Sequence, residues 1–302
     1  MKALKVFCLA TFIAAMAAFS AYADTPVAAG QAALPHPASN PAVQAEDPAS
    51  PISSGQAPAP CSLSNPEILL SLPDGPTVSD SPCVVPKGHV LLELQYQHVN
   101  LRGSEGGGAA DVYMQATEIR LGLPGRNEFK VLTPSYTVEK ASSGWSATGI
   151  GFKHEVGYND KWIGSVETIL TLPSGNDAFG SAGLGAAFNG IVGYSLSDTV
   201  GLGLQLGVST QTDPALAGGK RFTSFNPIFV ATWHPLDRLQ FYGEIYGQTK
   251  TSHSEGAGFD FDGGVQYIIY RRLEVDLAEG VRLTGNLGGF THFFQAGTKI
   301  LF

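Results

Sequence analysis

The chain has 302 residues, and 26 acidic against 18 basic side chains give a net charge of −8. An acidic chain without basic clusters argues against nucleic acid as a partner. Its 37 glycines follow no G-x-y period, so they point to curved strands and loops rather than collagen.

Residues 1–23 read as a secretory signal. Lys2 and Lys5 form a basic start, Val6 to Ser20 is apolar, and Ala21-Tyr22-Ala23 is an A-x-A site that places cleavage between Ala23 and Asp24. No lipoprotein-type box surrounds Cys8. The mature chain would carry 16 basic and 26 acidic residues, a net −10. It has no apolar run near the roughly 20 residues of a spanning helix. A membrane location would therefore require a closed barrel, since only helices and closed barrels satisfy their backbone in lipid.

Residues 24–60 are rich in Ala and Pro and almost free of large aliphatics. They cannot bury a core, and read as a disordered periplasmic tether. Residues 61–87 form a transition segment. Its one apolar cluster, Ile68-Leu69-Leu70-Ser71-Leu72, is too short for a domain, and Pro66, Pro73, Pro76, Pro82 and Pro86 forbid long regular structure. Cys61 and Cys83 are the only mature cysteines. In an oxidising compartment they most simply form a disulfide, and no C-x-x-C or nearby His cluster favours a metal. The segment could cap the periplasmic mouth of a barrel or enter its lumen as a plug.

From residue 88 the texture is period-2. Twelve segments alternate apolar with polar or small residues, at about 89–99, 112–123, 127–138, 145–157, 162–172, 183–196, 199–210, 222–234, 238–250, 258–270, 272–284 and 290–302. Val200, Leu202, Leu204, Leu206 and Val208, for example, alternate with Gly201, Gly203, Gln205, Gly207 and Ser209. Such lengths exceed the usual five or six residues of a sandwich strand and suit tilted strands that cross a membrane in roughly 9–11. Glu279 interrupts one apolar row.

Connections alternate between tight turns (Pro124-Gly125-Arg126, Asn159-Asp160, Ser197-Asp198, Pro235-Leu236-Asp237, Arg271) and longer Gly/Ser-rich loops. This is the pattern of an outer-membrane barrel, and an even count puts both termini on the short-turn, periplasmic side. Tyr158, Trp162, Tyr194, Trp233, Phe241 and Tyr270 flank the tight turns, where an aromatic girdle belongs. The chain ends on FTHFFQAGTKILF. Phe290, His292, Phe294, Ala296, Thr298, Ile300 and Phe302 share one face, with Phe293 and Leu301 as exceptions on the other. An exposed edge this aromatic invites aggregation unless it closes on the first strand.

Three stretches resemble known outer-membrane proteins. The terminal Phe302 is similar to their C-terminal assembly signal, which implies the barrel assembly machinery and outer-membrane lipid as partners. Ser81-Pro82 with Val85-Pro86-Lys87-Gly88-His89-Val90-Leu91-Leu92-Glu93 resembles the entry motif of the outer-membrane family named for the MetA pathway of phenol degradation. Pro173-Ser174-Gly175, after Thr168 to Leu172, resembles that family's T-x-L-P-T-G segment. The likeness covers about 80–302 and departs at Cys83 and in the tether. It implies a bacterial outer-membrane transporter, with phenol-like compounds as a guide to solute class.

The polar parity marks the water side, because Arg or Lys facing lipid at mid-membrane costs about 2–4 kcal/mol. The lumen-lining candidates are Glu118, Arg120, Lys153, Glu155, Glu167, Gln205, Tyr242, Glu244, Tyr246, Asp260, Asp262, Glu274, Asp276, Arg282 and Lys299. Glu93, Lys130, Gln266 and Gln295 share their parity. Tyr242, Tyr246 and Tyr270 could offer planar solutes a stacking surface. Enzyme signals are absent: there is no G-x-S-x-G, no H-E-x-x-H and no H-x-S pair. No cofactor or metal is expected. The reading is an all-β, up-and-down, membrane-spanning barrel of about 12 strands, passing small, aromatic or apolar solutes through a charge-lined constriction narrowed by loops. The alternative is a structural or adhesive barrel that binds a partner through its loops or tether.

Overall fold

A computed structural model describes residues 61–101, 108–140 and 142–302. The expected signal (1–23, with Ala23 and Asp24) and tether (24–60) lie outside the described residues. One helical turn, α1 (Ile68–Ser71), precedes the strands β1 (Val90–Leu101), β2 (Gly108–Leu123), β3 (Asn127–Leu132), β4 (Tyr136–Glu139), β5 (Ser143–Trp145), β6 (Gly149–Tyr158) and β7 (Trp162–Thr171). They continue as β8 (Gly185–Ser195), β9 (Val200–Thr212), β10 (Arg221–Leu236), β11 (Leu239–Gln248), β12 (Gly258–Tyr270), β13 (Leu273–Thr284) and β14 (Phe290–Leu301).

Every pairing among the described residues is antiparallel, and β1 pairs with both β2 and β14, so the sheet closes on itself. β3 and β4 lie end to end along β2 as one stave, broken at Thr133-Pro134-Ser135, where proline cannot donate to the ladder. β5 and β6 form a second broken stave. The two breaks face each other: Ser135 N donates to Ser146 Oγ (2.8 Å) and Ser146 N to Ser135 O (2.9 Å). The result is a closed barrel of twelve staves, the number expected from periodicity.

Closure runs to the last residue. Phe302 N donates to Val90 O (2.8 Å), and Val90 N returns a bond to Phe302 O (3.3 Å). Paired at both ends, β14 leaves no row of unmet backbone groups for lipid to desolvate.

The alternation sorts side chains as predicted. On β9, Leu204, Leu206 and Val208 are exposed, while Gln205 and Ser209 are buried. The whole girdle set is exposed, including Trp162 across from Tyr194 and Trp233 stacked on Phe241 at 5.7 Å. This outer band of Leu, Val, Ile and Phe, bounded by aromatics, is a lipid-facing surface. Glu279 is exposed within it, across from Gly263 and Phe294.

Two residues, Tyr270 and Phe290, depart from strict parity. β12 carries a register shift between Ile268 and Tyr270. Ile268 keeps the inward parity of Asp262 and Gln266, and the extra residue after it turns Tyr270 outward, so Tyr270 belongs to the girdle and not to the lumen. A shift between Asn100 and Leu101 likewise turns Phe290 inward, where it meets Phe293 edge-on at 5.1 Å and packs with Val99 and Ala110. Leu301, the other exception on the last strand, is buried inside at the opposite end.

Candidate functional site

The interior is built from the polar parity and from the chain that precedes β1. Residues 70–85 make hydrogen bonds to inward side chains on eight strands around the ring, among them β8 through Asn189 and Asp80 (3.4 Å), which only a segment inside it can reach. Leu70 O accepts from Gln240 on β11 (3.1 Å), and Leu72 O from Arg120 on β2 (2.7 Å). Asp74 N and Gly75 N donate to the two oxygens of Glu93 on β1 (3.0 and 2.9 Å). Pro76 O accepts from Gln295 on β14 (3.2 Å), Val78 N and Ser79 N donate to Glu244 on β11, and Asp80 N donates to Gln205 on β9 (2.7 Å). The chain then returns: Ser81 O accepts from Lys153 on β6 (2.9 Å), Cys83 O from Arg120 (3.2 Å), and Val85 N donates to Glu128 on β3 (2.7 Å). A segment that cannot form a helix or strand must satisfy its backbone elsewhere, and barrel side chains supply the partners.

Two devices fix this loop at the short-turn end. Cys61 and Cys83 are disulfide-bonded, as expected from their count. Ile68, Leu69, Leu70 and Leu72 pack with Cys83 and Val85 against Leu91, Ile163, Ile268 and Leu301, the inward residues at the periplasmic ends of β1, β7, β12 and β14. Burying each leucine contributes about 1.5–3 kcal/mol. Gly122 lets the chain pass: a Cβ there would lie 2.1 Å from Pro86 O and 2.3 Å from Val85 O. Gly122→Ala is therefore expected to weaken docking of residues 61–87 by about 1–3 kcal/mol through overpacking. Faster protease cleavage within that segment, with the barrel still folded, is the readout.

At the centre of the loop Asp74 gathers three cations from the wall: Lys130 (2.5 Å), Lys153 (2.8 Å) and Arg120 (3.1 Å). Arg120 also pairs with Glu128 (2.8 Å) and Glu93 (3.1 Å), and Lys130 with Glu167 (2.5 Å) and Glu118 (3.4 Å). Burial opposes ionisation of Asp74, but Arg120, Lys130 and Lys153 outweigh it and hold its carboxyl well below the usual carboxylate range. Asp80 goes the other way: burial, then Glu167, push its carboxyl well above that range. Two acidic trios here, Asp74 with Asp80 and Glu167 and Asp74 with Glu93 and Glu118, are close enough to hold a metal. The lysines and arginine already compensate them.

The candidates from sequence thus fall into two groups. Glu118, Arg120, Lys153 and Glu167 surround Asp74, and Gln205 holds Asp80. Tyr242, Glu244, Tyr246, Asp260, Asp262, Glu274, Asp276 and Lys299 are buried on the opposite wall, β11 to β14, with Arg282 half-buried beside them. Glu155 sits near the short-turn end, buried and 3.4 Å from Arg126. Sequence reasoning missed Glu128, although it shares the inward parity of Lys130. It also missed Asp74 and Asp80, which lie where no periodicity exists. The long loops were expected to narrow the lumen, but residues 70–85 occupy it.

The fold is similar to the COG4313 outer membrane channel from Pseudomonas putida F1, at 12% identity over 72% of this chain and 97% of that one, with a TM-score of 0.59. Lesser similarity extends to the NanC porin (10% identity, 70% and 98% covered, TM-score 0.47) and the KdgM porin (10%, 69% and 98%, TM-score 0.45). No family model and no curated protein matches the sequence. The closed barrel with its apolar outer band is an outer-membrane β-barrel, and its place is the bacterial outer membrane.

Proposed function

We propose that the chain is an outer-membrane channel for passive passage of small solutes, with residues 61–87 as a plug that sets how much of the lumen is open. The observation that carries this reading is the polar character of the plug's seat. A barrel that needed only to be filled could use apolar packing throughout, as it does around Leu69 and Leu72. Along most of the segment the contacts are hydrogen bonds and ion pairs, which water and ions can replace when the segment moves. The similar Pseudomonas putida F1 protein is an outer membrane channel. In this reading residues 1–23 direct export and are cut between Ala23 and Asp24. Residues 24–60 tether the plug on the periplasmic side, and Phe302 presents the last strand to the assembly machinery.

The solute class we propose is small and includes aromatic or apolar molecules. Tyr242 and Tyr246 supply inward rings on β11, and the entry motif from Ser81 to Glu93 resembles the MetA-pathway family. The test is planar-bilayer conductance of the purified full-length protein, with liposome uptake of phenol-sized and sugar-sized solutes. Small, steady conductance and faster uptake of the aromatic probe are expected. Neither conductance nor uptake would leave a structural barrel as the better reading.

A further inference from the structure

The two interior walls are not electrically alike. On the β2–β7 side each cation has several acidic partners. On β11–β13 the inward carboxylates outnumber the bases, and the plug brings no positive charge to them. Its only basic residue within 61–87 is Lys87, next to the start of the barrel.

Along β12 the inward positions form a ladder. Asp260 lies across from Tyr246 and Arg282, and Asp262 across from Glu244 and Gly280. Two residues on, Gly264 lies across from Tyr242, then Gln266 across from Asp276, then Ile268 across from Glu274. At about 3.4 Å per residue these four two-residue steps cover roughly 27 Å along the strand, or about 20 Å of membrane depth at a tilt of roughly 35–45°. The ladder therefore runs from the long-loop end to the short-turn end with an acidic side chain on four of five rungs.

Most of its carboxylate oxygens accept no hydrogen bond. Both oxygens of Asp260, both of Glu274, Oδ1 of Asp262 and Oδ1 of Asp276 are buried and accept no hydrogen bond. Asp260 and Glu274 have no accessible surface, and Asp262 has 1%. Lys299 is bonded to the other oxygen of Asp276 and lies 3.9 Å from Glu274. Arg282 Nη1 makes no hydrogen bond. Glu244 alone is answered by the plug, through Val78 N and Ser79 N. Side chains lie flat against glycines on this wall, the Tyr242 ring over Gly264 and the Asp276 carboxylate over Gly297, so a substituent at either glycine would meet them within 3 Å.

Buried carboxylates without partners hold their charge only beside a positive one. We infer that the β11–β13 ladder is a cation track: small inorganic or organic cations bind along Asp260, Asp262, Asp276 and Glu274 and pass the plug on this side. This rests on the channel reading and adds the charge class that the channel admits.

The experiment is the reversal potential of the full-length protein in a planar bilayer under a potassium chloride gradient. Potassium is expected to permeate several-fold faster than chloride. The isosteric double variant Asp262→Asn/Glu274→Gln, which keeps shape and folding, should bring the two permeabilities toward equality. Equal or chloride-favouring permeability in the wild type, or a double variant that matches it, would overturn the track. If the protein conducts no ions at all, the channel reading falls, and the ladder is judged by terbium emission excited through Tyr242 and Tyr246 in detergent-folded protein. Emission that disappears in Asp260→Asn/Asp262→Asn upholds a cation site without a channel; no emission from the wild type overturns it.

Discussion

Asp74→Ala is expected to release the plug while leaving the barrel closed. Among residues 61–87, Asp74 is the only side chain that meets Arg120, Lys130 and Lys153 together, at 2.5–3.1 Å. Removing one partner of a buried ion network costs about 3–5 kcal/mol, because the remaining charges stay desolvated. Here Glu128, Glu118 and Glu167 continue to serve Arg120 and Lys130, so the lower end applies. About 3 kcal/mol is a shift of roughly a hundredfold in the docked-to-undocked ratio. The ladder bonds between staves are untouched. The expected result is larger, noisier conductance and cleavage of residues 61–87 by added protease, with heat-modifiable migration of the barrel retained. Asp74→Asn should act in the same direction but less, since its side-chain oxygen can still accept from Ser81 N (2.8 Å). Deleting residues 61–87 sets the upper limit for both. The pH dependence has a definite sign. The folded-state carboxyl of Asp74 is depressed, so its contribution is fully present above the ordinary aspartate value, near 3.9, and is lost only as pH falls well below it. Mild acid should therefore leave the wild-type plug seated. Conductance that matches the wild type in Asp74→Ala would mean the loop is held by its backbone bonds, apolar cluster and disulfide without Asp74.

The barrel was legible because lipid imposes one rule on every strand. Gln205 between Leu204 and Leu206, or Asp260 and Asp262 around Phe261, announces its face without any partner in view. Parity failed where the chain gained a residue. Nothing in Tyr267-Ile268-Ile269-Tyr270 marks the shift that moves Tyr270 outward, since all four side chains suit either an apolar cap or an interface. The inward Phe290 was hidden in the same way, by a shift that leaves Thr291 of β14 without a partner on β1. Pro134 is visible in the sequence as a break, but the pairing of both halves with β2 is a tertiary fact. The plug was the least legible part. Its prolines say only what it cannot form, and Asp74 and Asp80 stand in no pattern. Their meaning comes from Arg120, Lys130 and Lys153, which lie 40 to 79 residues further along the chain.

The second large effect concerns the outside. Leu204 is 43% exposed in the middle of β9, and its neighbours across the strands are Val192 and Phe229, exposed on the same face. In water such a surface would cluster and aggregate; in lipid it costs nothing. Leu204→Arg should therefore destabilise the folded protein by about 2–4 kcal/mol in a bilayer, the cost of a guanidinium near the midplane. The same change at Leu216, 78% exposed in the long loop between β9 and β10, should cost almost nothing, because that side chain is already in water. Urea titration of the two variants in lipid vesicles, followed by heat-modifiable migration, compares them directly. If Leu204→Arg unfolds at the same urea concentration as Leu216→Arg, the outer face does not touch hydrocarbon. The inward Gln205, one residue away, could then no longer be assigned to the lumen by its neighbours' chemistry.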